Sequence, residues 1–583
     1  MKQFFKLVLA NIVAGVILLI IFFFFLIGAI AGMATIGSAE VTVKENSILE
    51  ITMNYQMPDR AMQQAFPSFD GSTKLGLNAA TEAIRRAKTD DNIRGIFLNL
   101  TMANPTNLAT LQELRQAIEY FKESEKFVWA YSDSYSQGMY YLASVADRVY
   151  IHHEGILDFR GLSSQIFFLK GALEKMGVDM QIVRHGKFKS AIEPFVNDRM
   201  SPENREQTQR YIMGMWNSVL ADIGKSRDIS TTELNRIANG KLAMFPEDAQ
   251  ELNMIDGAFG HSEMLQLLAE AVEKEEICEL KFIELRRYAR APAKRERRQG
   301  RDRIAVVYAQ GEIAMGRGAA YTIGSQNISR AIRTAANDKN VKAIVLRINS
   351  PGGSALASDI ILQEVLAARA KKPVVVSFGN LAASGGYYIA CGANVIFAQP
   401  TTLTGSIGVF GTIPNTQKLF NEKLGVTFDE VSTNPNANFL SLTRPMTTFE
   451  QQKMQTFVER TYETFIAHVA EGRNLTRSHV DSIGQGRVWN GIDAKNLGLV
   501  DKIGNLNDAI AKAAELAEIE RWRVVVYPKE RDQFEQLMEM LGNVRTRMIR
   551  TEMGRWFPMY EFVRSIPEEP AVMARKPYTS IIQ

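Results

Sequence analysis

The chain is written twice, and that limits its folds more than any other feature does. "DNIRGIFLNL" (91–100) returns as "KNVKAIVLRI" (339–348), a shift of 248 residues. "GMYYLASVADRVYI" (138–151) returns as "GGYYIACGANVIFA" (385–398), a shift of 247. "EKMGV" (174–178) matches "EKLGV" (422–426), and "DAQELNMID" (248–256) matches "DAKNLGLVD" (493–501). Ordered matches at nearly one offset mark a duplicated unit. Within each copy, short apolar runs alternate with helical patterns: "GIFLNL" then "KFVWAYS" (126–132), and "AIVLRI" then "PVVVSFG" (373–379). That alternation predicts parallel βαβ units, and so an α/β fold in two tandem domains.

The copies differ at chemically informative positions. After its first run the second copy has "RINSPGGSA" (347–355), where the first has "NLTMANPTN" with no glycine pair. Pro-Gly-Gly after a strand allows a close backbone approach, suited to an oxyanion hole or to a plain turn. Ser384, in "NLAASGGYYIACG", aligns with Gln137, while Gly385 and Tyr387-Tyr388 are kept as Gly138 and Tyr140-Tyr141. A nucleophilic serine needs a base, and none of the six histidines lies within seventy residues of Ser384. The first copy offers Lys189, in "VRHGKFKSAIEPF" (183–195), whose counterpart is about Ala437. A lysine serves as a base only when burial makes it neutral, and His185 is a rival.

The N-terminus carries Lys2 and Lys6 and then no charge until Glu40. The apolar run exceeds a signal-peptide core and reaches the length of a single membrane span. It predicts a retained anchor over 1–40 with the remainder across the membrane, although Gly37-Ser38-Ala39 is compatible with cleavage. The stretch 285–303 holds nine basic and two acidic residues, which reads as a solvated linker or as a contact for an anionic membrane. Net charge is only +4, which excludes a global nucleic-acid field. Cys278 and Cys391 form no motif and are expected to be buried small hydrophobes. The C-terminal tail shows the helical pattern "DAIAKAAELAEI" and no evident chemistry.

The motifs "INSPGG", "AASGGYYIA", "LTGSIGVFG" and "GKFKSAIEPF", in this chain behind an N-terminal anchor, resemble the signal peptide peptidase A (protease IV) family of the long, duplicated bacterial type. The resemblance implies two ClpP/crotonase-like domains: 47–285 with the general base, then, after the linker 286–303, 304–515 with the nucleophile, followed by a tail 516–583. It implies Ser384 as nucleophile, Lys189 as general base and Ser406, in "TGSIG", as the hydroxyl that orients the lysine. Phe159 stands at the equivalent of Ser406 in the first copy. Backbone amides of Gly385 and of Gly352 or Gly353 would form the oxyanion hole. No metal, nucleotide or nucleic acid is implied. The expected partners are remnant signal peptides, the bacterial inner membrane with the body on its periplasmic side, and further copies in a homotetramer. A crotonase-like acyl-CoA enzyme and an inactive membrane scaffold are the alternative readings.

Overall fold

The computed structural model describes residues 41–61, 74–104, 106–241, 243–292, 300–319, 321–529, 573–575 and 581–582, with a few residues between 6 and 21. The expected anchor lies almost wholly outside these, and no helix among the described residues is long and apolar enough to cross a membrane.

The duplication is visible in the sheets. In the first half the parallel strand order is Lys281–Glu284, Ser47–Thr52, Ile93–Asn99, Phe127–Ser132, Arg148–Ile151, Gly257–Ala258. The second half repeats it as Arg523–Tyr527, Arg303–Gln310, Val341–Ser350, Val374–Ala383, Val395–Ala398, Lys502–Ile503. The second sheet therefore takes its edge strand from 523–527. Both central sequences, "IRGIFLN" and "VKAIVLRINS", are almost continuously buried, as parallel strands covered on both faces must be. The long helices Pro202–Arg227 and Thr448–Arg473 are also counterparts. Ser201 and Thr447 accept from backbone N–H groups of their first turns, and each helix ends on a left-handed residue, Asp228 or Asn474.

Elements from both halves meet in a third sheet. Asp179–His185 pairs antiparallel with Val409–Asn415 over seven residues, from Val409 opposite His185 to Asn415 opposite Asp179. Helix Leu108–Lys122 of the first half lies against the second. Its own N-cap, Asn107, makes no side-chain cap bond; instead Asn380 Oδ1 accepts from Thr110 N at 3.0 Å. Thr401 donates through N and Oγ1 to Gln112 Oε1. Arg347, 2% exposed, donates to Asp59 Oδ1 at 2.8 Å and Glu113 Oε1 at 2.6 Å, both from the first half, and to Ser377 Oγ and Phe378 O of the strand that leads to Ser384. Burial pushes the Glu113 carboxyl up, against the pull of Arg347. Burial alone would lower Arg347, but the two carboxylates outweigh it and hold the guanidinium charged.

Two sequence expectations need correction or extension. Cys391 is buried, but Cys278 is exposed, because it sits in a short turn, Ile277–Glu279, that packs no side chain inward. The tail supplies strands: besides 523–527, Met573–Arg575 and Ile581–Ile582 pair with the body. Of the basic stretch, Leu285–Tyr288 is helical with Tyr288 fully buried, and 293–299 lies outside the described residues.

Arg347→Met leaves two buried carboxylates facing each other without a cation. Loss of one partner from a buried ion cluster costs about 3–5 kcal/mol. The variant should show a clearly lowered urea midpoint, and an unchanged midpoint would mean that the cluster does not hold the halves together.

Candidate active site

Ser384 follows directly on the buried strand Val374–Ala383 and precedes the short helix Gly385–Tyr388. Its backbone is left-handed, φ 55° and ψ −117°, a conformation a non-glycine residue adopts only under constraint. The constraint is local: Ser384 N donates to Gly405 O at 2.8 Å, and Gly386 passes so near Ser350 that an added Cβ would lie 2.9 Å from its carbonyl oxygen. The turn leaves no room for a larger residue at Gly386.

Lys189 arrives from the other half. The ladder between 179–185 and 409–415 ends beside it, and its chain turns through Gly186 at φ 99°. The side chain is fully buried. Its Nζ lies 2.9 Å from Ser384 Oγ and 3.0 Å from Ser406 Oγ, and it donates to Ser406 O at 3.1 Å. A neutral amine has two hydrogens and one lone pair. Donation to Ser406 O and Oγ leaves the lone pair for the Ser384 hydroxyl. Among the described residues no carboxylate pairs with this amine. Phe410 walls it, the ring centre 5.9 Å from Nζ. Desolvation therefore acts unopposed and lowers the Lys189 pKa to about 7.

Residues that the sequence did not single out hold this geometry. Gly486, at φ 80°, lies so close to Lys189 that a Cβ would stand 2.6 Å from its backbone nitrogen. At Gly408 a Cβ would stand 3.3 Å from Lys189 Cδ. Phe188 N donates to Gln485 O, Gly486 N to Ile407 O and Ser406 N to Arg487 O, so one turn ties the lysine segment to the Ser406 segment. Gln207 Nε2 donates to Phe188 O and Ser190 Oγ, while its Oε1 accepts from Val488 N. The glycines of "SIGQGR" were the available signal; Gln207 carried none.

The equivalent place in the first half is closed. Gln137, opposite Ser384 in the repeat, accepts from the Arg160 and Gly161 amides and donates to Gly161 O. Phe159, at the Ser406 equivalent, is fully buried against Tyr140 and Trp216. Ala437, at the Lys189 equivalent, lies in an exposed loop. His185 stacks on Tyr462 at 3.9 Å between ring centres. Gly352 and Gly353 form a short strand with Ser354, both glycines at positive φ; the Gly352 N–H donates to Ser350 Oγ.

The sequence profile described as "Peptidase family S49" matches residues 120–275 and 367–520, two segments that begin 247 residues apart. Protease 4 of Salmonella typhi is 38% identical over 513 residues, 85% of this chain and 81% of its own. Protease 4 of Haemophilus influenzae is 38% identical over 446 residues, 74% and 72% of the two chains. The chloroplastic serine protease SPPA of Arabidopsis thaliana is 30% identical over 483 residues, 82% and 70%. Among solved structures, ClpP1 from Listeria monocytogenes aligns with 35% of this chain and 92% of its own, at 19% identity and a TM-score of 0.22.

Gly486→Ala forces a Cβ into the Lys189 backbone at a left-handed position. The clash is with the Lys189 backbone, so the amine is displaced from Ser384. Misplacement by about 1 Å costs on the order of a hundredfold. Hydrolysis of a peptide substrate should fall by that order in protein still folded at the assay temperature, with a melting point lowered by strain of about 1–3 kcal/mol; wild-type turnover would show that Gly486 does not set the lysine.

Proposed function

The chain belongs to peptidase family S49 and is a serine peptidase, and from that premise we propose that Ser384 and Lys189 are its catalytic pair, one from each half. The observation that carries this is the Lys189 amine, buried without a counter-charge and 2.9 Å from the Ser384 hydroxyl. Neutral Lys189 takes the proton as Ser384 Oγ attacks the peptide carbonyl. The protonated amine then delivers it to the leaving nitrogen, and water repeats the sequence on the acyl-enzyme. Ser406 keeps the lysine lone pair on Ser384. The amides of Gly385 and Gly353 receive the oxyanion, since the Gly352 amide is already engaged by Ser350.

The substrates in this reading are remnant signal peptides and other extended apolar peptides. Protease 4 relatives and a "Putative signal peptide peptidase SppA" from Enterococcus faecium, 36% identical over 221 residues, support it. The domains are two ClpP/crotonase-like units, the first over 47–288 and the second over 303–527, since the second sheet takes its edge strand Arg523–Tyr527 from beyond 515. Lys2, Lys6 and the uncharged run behind them support an inner-membrane anchor with the body in the periplasm. Head-to-tail association into a homotetramer is supported by the repeat itself. Glu113, Tyr211 and Leu403 are buried where the halves meet, and their counterparts at shifts of 246 or 247 are the exposed apolar residues Ile360, Phe457 and Ile156. Two lie on the second half and one on the first, as a heterologous contact requires.

A fluorophosphonate probe should label Ser384, and Ser384→Ala should abolish cleavage of apolar signal-sequence fragments. Absence of labelling in the folded wild type would overturn the assignment.

With the Lys189 pKa near 7, the working form is the neutral amine, so kcat/KM should rise with pH through about 7 and level off above it. Lys189→Arg, charged at every ordinary pH, should be inactive throughout. A pH profile that falls through this range would move the base elsewhere.

Ser406→Ala removes one hydrogen bond from the amine, worth roughly 1–3 kcal/mol, or about tenfold to a hundredfold in rate. Residual activity with a displaced pH midpoint is the expected result, and full activity would show that Ser406 O alone orients the lysine.

A further inference from the structure

The strand Val488–Asn490 is bonded to the nucleophile's surroundings. It pairs antiparallel with Leu403–Gly405, Gly405 facing Val488 and Thr404 facing Trp489, and Gly405 O accepts from Ser384 N. Arg487 stands just before that strand. Its carbonyl accepts from Ser406 N at 2.6 Å, so its backbone already meets the segment beside the lysine amine. Its side chain, only 13% exposed, bridges two rings. The guanidinium carbon lies 4.5 Å from the ring centre of Trp489 and 4.5 Å from that of Phe188, the residue before Lys189. Both rings are buried, and Trp489 is pinned where its Nε1 donates to Ile483 O at 3.0 Å.

The faces of the guanidinium, more than its edge, hold it there. Its Nη2 lies 2.6 Å from Glu206 Oε1, but that carboxylate is 59% exposed, and such a pair contributes little. Its Nε is buried and has no hydrogen-bond partner among the described residues. A planar guanidinium packs on aromatic faces in a way that an ammonium cannot copy. The other charges about these rings are Arg210, 4.9 Å over Trp489 and bonded to Asp493, and Lys187, 5.3 Å over Phe188. The backbone of Phe188 is tied separately: its N donates to Gln485 O and its carbonyl accepts from Gln207 Nε2. Its ring rests on Arg487.

We propose that Arg487 is a positioning residue for peptide hydrolysis: by bridging Trp489 and Phe188, its guanidinium fixes the Lys189 segment of the first half against the strand pair that bonds the Ser384 turn. The proposal rests on Ser384 and Lys189 being the catalytic pair. Arg487 acts through Phe188, not on the substrate, so its loss falls on kcat rather than on KM. With the bridge gone, the Phe188 ring loses its support and water gains a way to the Lys189 amine. Desolvation, which holds that pKa near 7, then eases, and the pKa moves up toward the ordinary lysine value. The neutral amine becomes scarcer at neutral pH and is regained at higher pH. A general loss of fold would instead lower activity at every pH alike.

The test measures kcat and KM for an apolar peptide from neutral to alkaline pH, in the full chain and in single variants. Arg487→Met should lower kcat at neutral pH about tenfold, with KM within about twofold, and move the pH midpoint up by about one unit, the shift to which tenfold corresponds. Arg487→Lys keeps the charge but not the plane and should behave as Arg487→Met does. Glu206→Gln removes the ion pair alone and should leave the midpoint in place. Phe188→Leu should move the midpoint upward as well, which keeps the test open if Arg487→Met does not fold, while Phe188→Tyr retains the ring and should keep the wild-type midpoint. The rate at which a fluorophosphonate labels Ser384 across the same pH range reads the midpoint without a substrate. An unmoved midpoint in both Arg487→Met and Phe188→Leu, however far the rate falls, overturns the proposal, as does a Glu206→Gln shift as large as that of Arg487→Met. Absence of labelling in the wild type would bring down the catalytic pair and this proposal together; a wild type that labels with a midpoint neither variant moves brings down this proposal alone.

Discussion

One uncompensated amine organises this molecule. Lys189 is fully buried with no carboxylate among its partners, and an ammonium there would be expensive. Burial lowers its pKa to about 7, so that a neutral amine with a free lone pair becomes accessible near neutral pH, 2.9 Å from the Ser384 hydroxyl. Everything around it serves dryness or aim: the Phe410 ring, the two glycines that let backbone close over the side chain, and a hydroxyl and a carbonyl from one residue, Ser406, that use up its hydrogens. A carboxylate at the same distance would hold the amine charged and remove the chemistry.

Because Ser384 and Lys189 come from different halves, the contact between halves is part of the candidate site. It is built from bonds with little tolerance for slippage. A seven-residue ladder sets the register of the segment before Lys189, and a one-residue slip would turn its side chains to the other face. Asn380, four residues before Ser384, caps a helix of the first half, and Arg347 clamps the strand that carries Ser384 to two carboxylates of the first half. The same side chains that hold the halves together thus also position the reacting atoms.

Duplication explains how such a site can exist in one chain. Each half keeps the strand order and the paired long helices, but the Ser384 hydroxyl and the Lys189 amine each occur in one half only. In the first half the lost site is filled: Gln137 bonds the backbone around Gly161, and Phe159 packs into the core. In the second half Ala437, at the Lys189 position of the repeat, sits in an exposed loop. The tail adds the strand Met573–Arg575, which pairs into the third sheet from outside the repeat.

Much was legible from residues alone. The repeat offset predicted two α/β units, because buried parallel strands must be apolar on both faces and so leave long recognisable runs. The differences at Ser384/Gln137 and Lys189/Ala437 marked two side chains that the structure brings together, because a position whose hydroxyl or amine survives in one copy only stands out against a retained frame. Tertiary structure had to decide the rest. That Lys189 rather than His185 meets Ser384 depends on a ladder between segments more than 220 residues apart, and spacing along the chain carries no trace of it. Gly486 acts through backbone proximity to Lys189, and Gln207 through side-chain bonds to two segments distant in the chain, contacts that spacing does not reveal. The exposure of Cys278 and the pairing of Met573–Arg575 depend on what neighbours are folded nearby. Local pattern specified which segments could be strands and which side chains could react. The approach of a buried amine to a hydroxyl, and the loss of water that lowers that amine's pKa, exist only once the two halves have closed on each other.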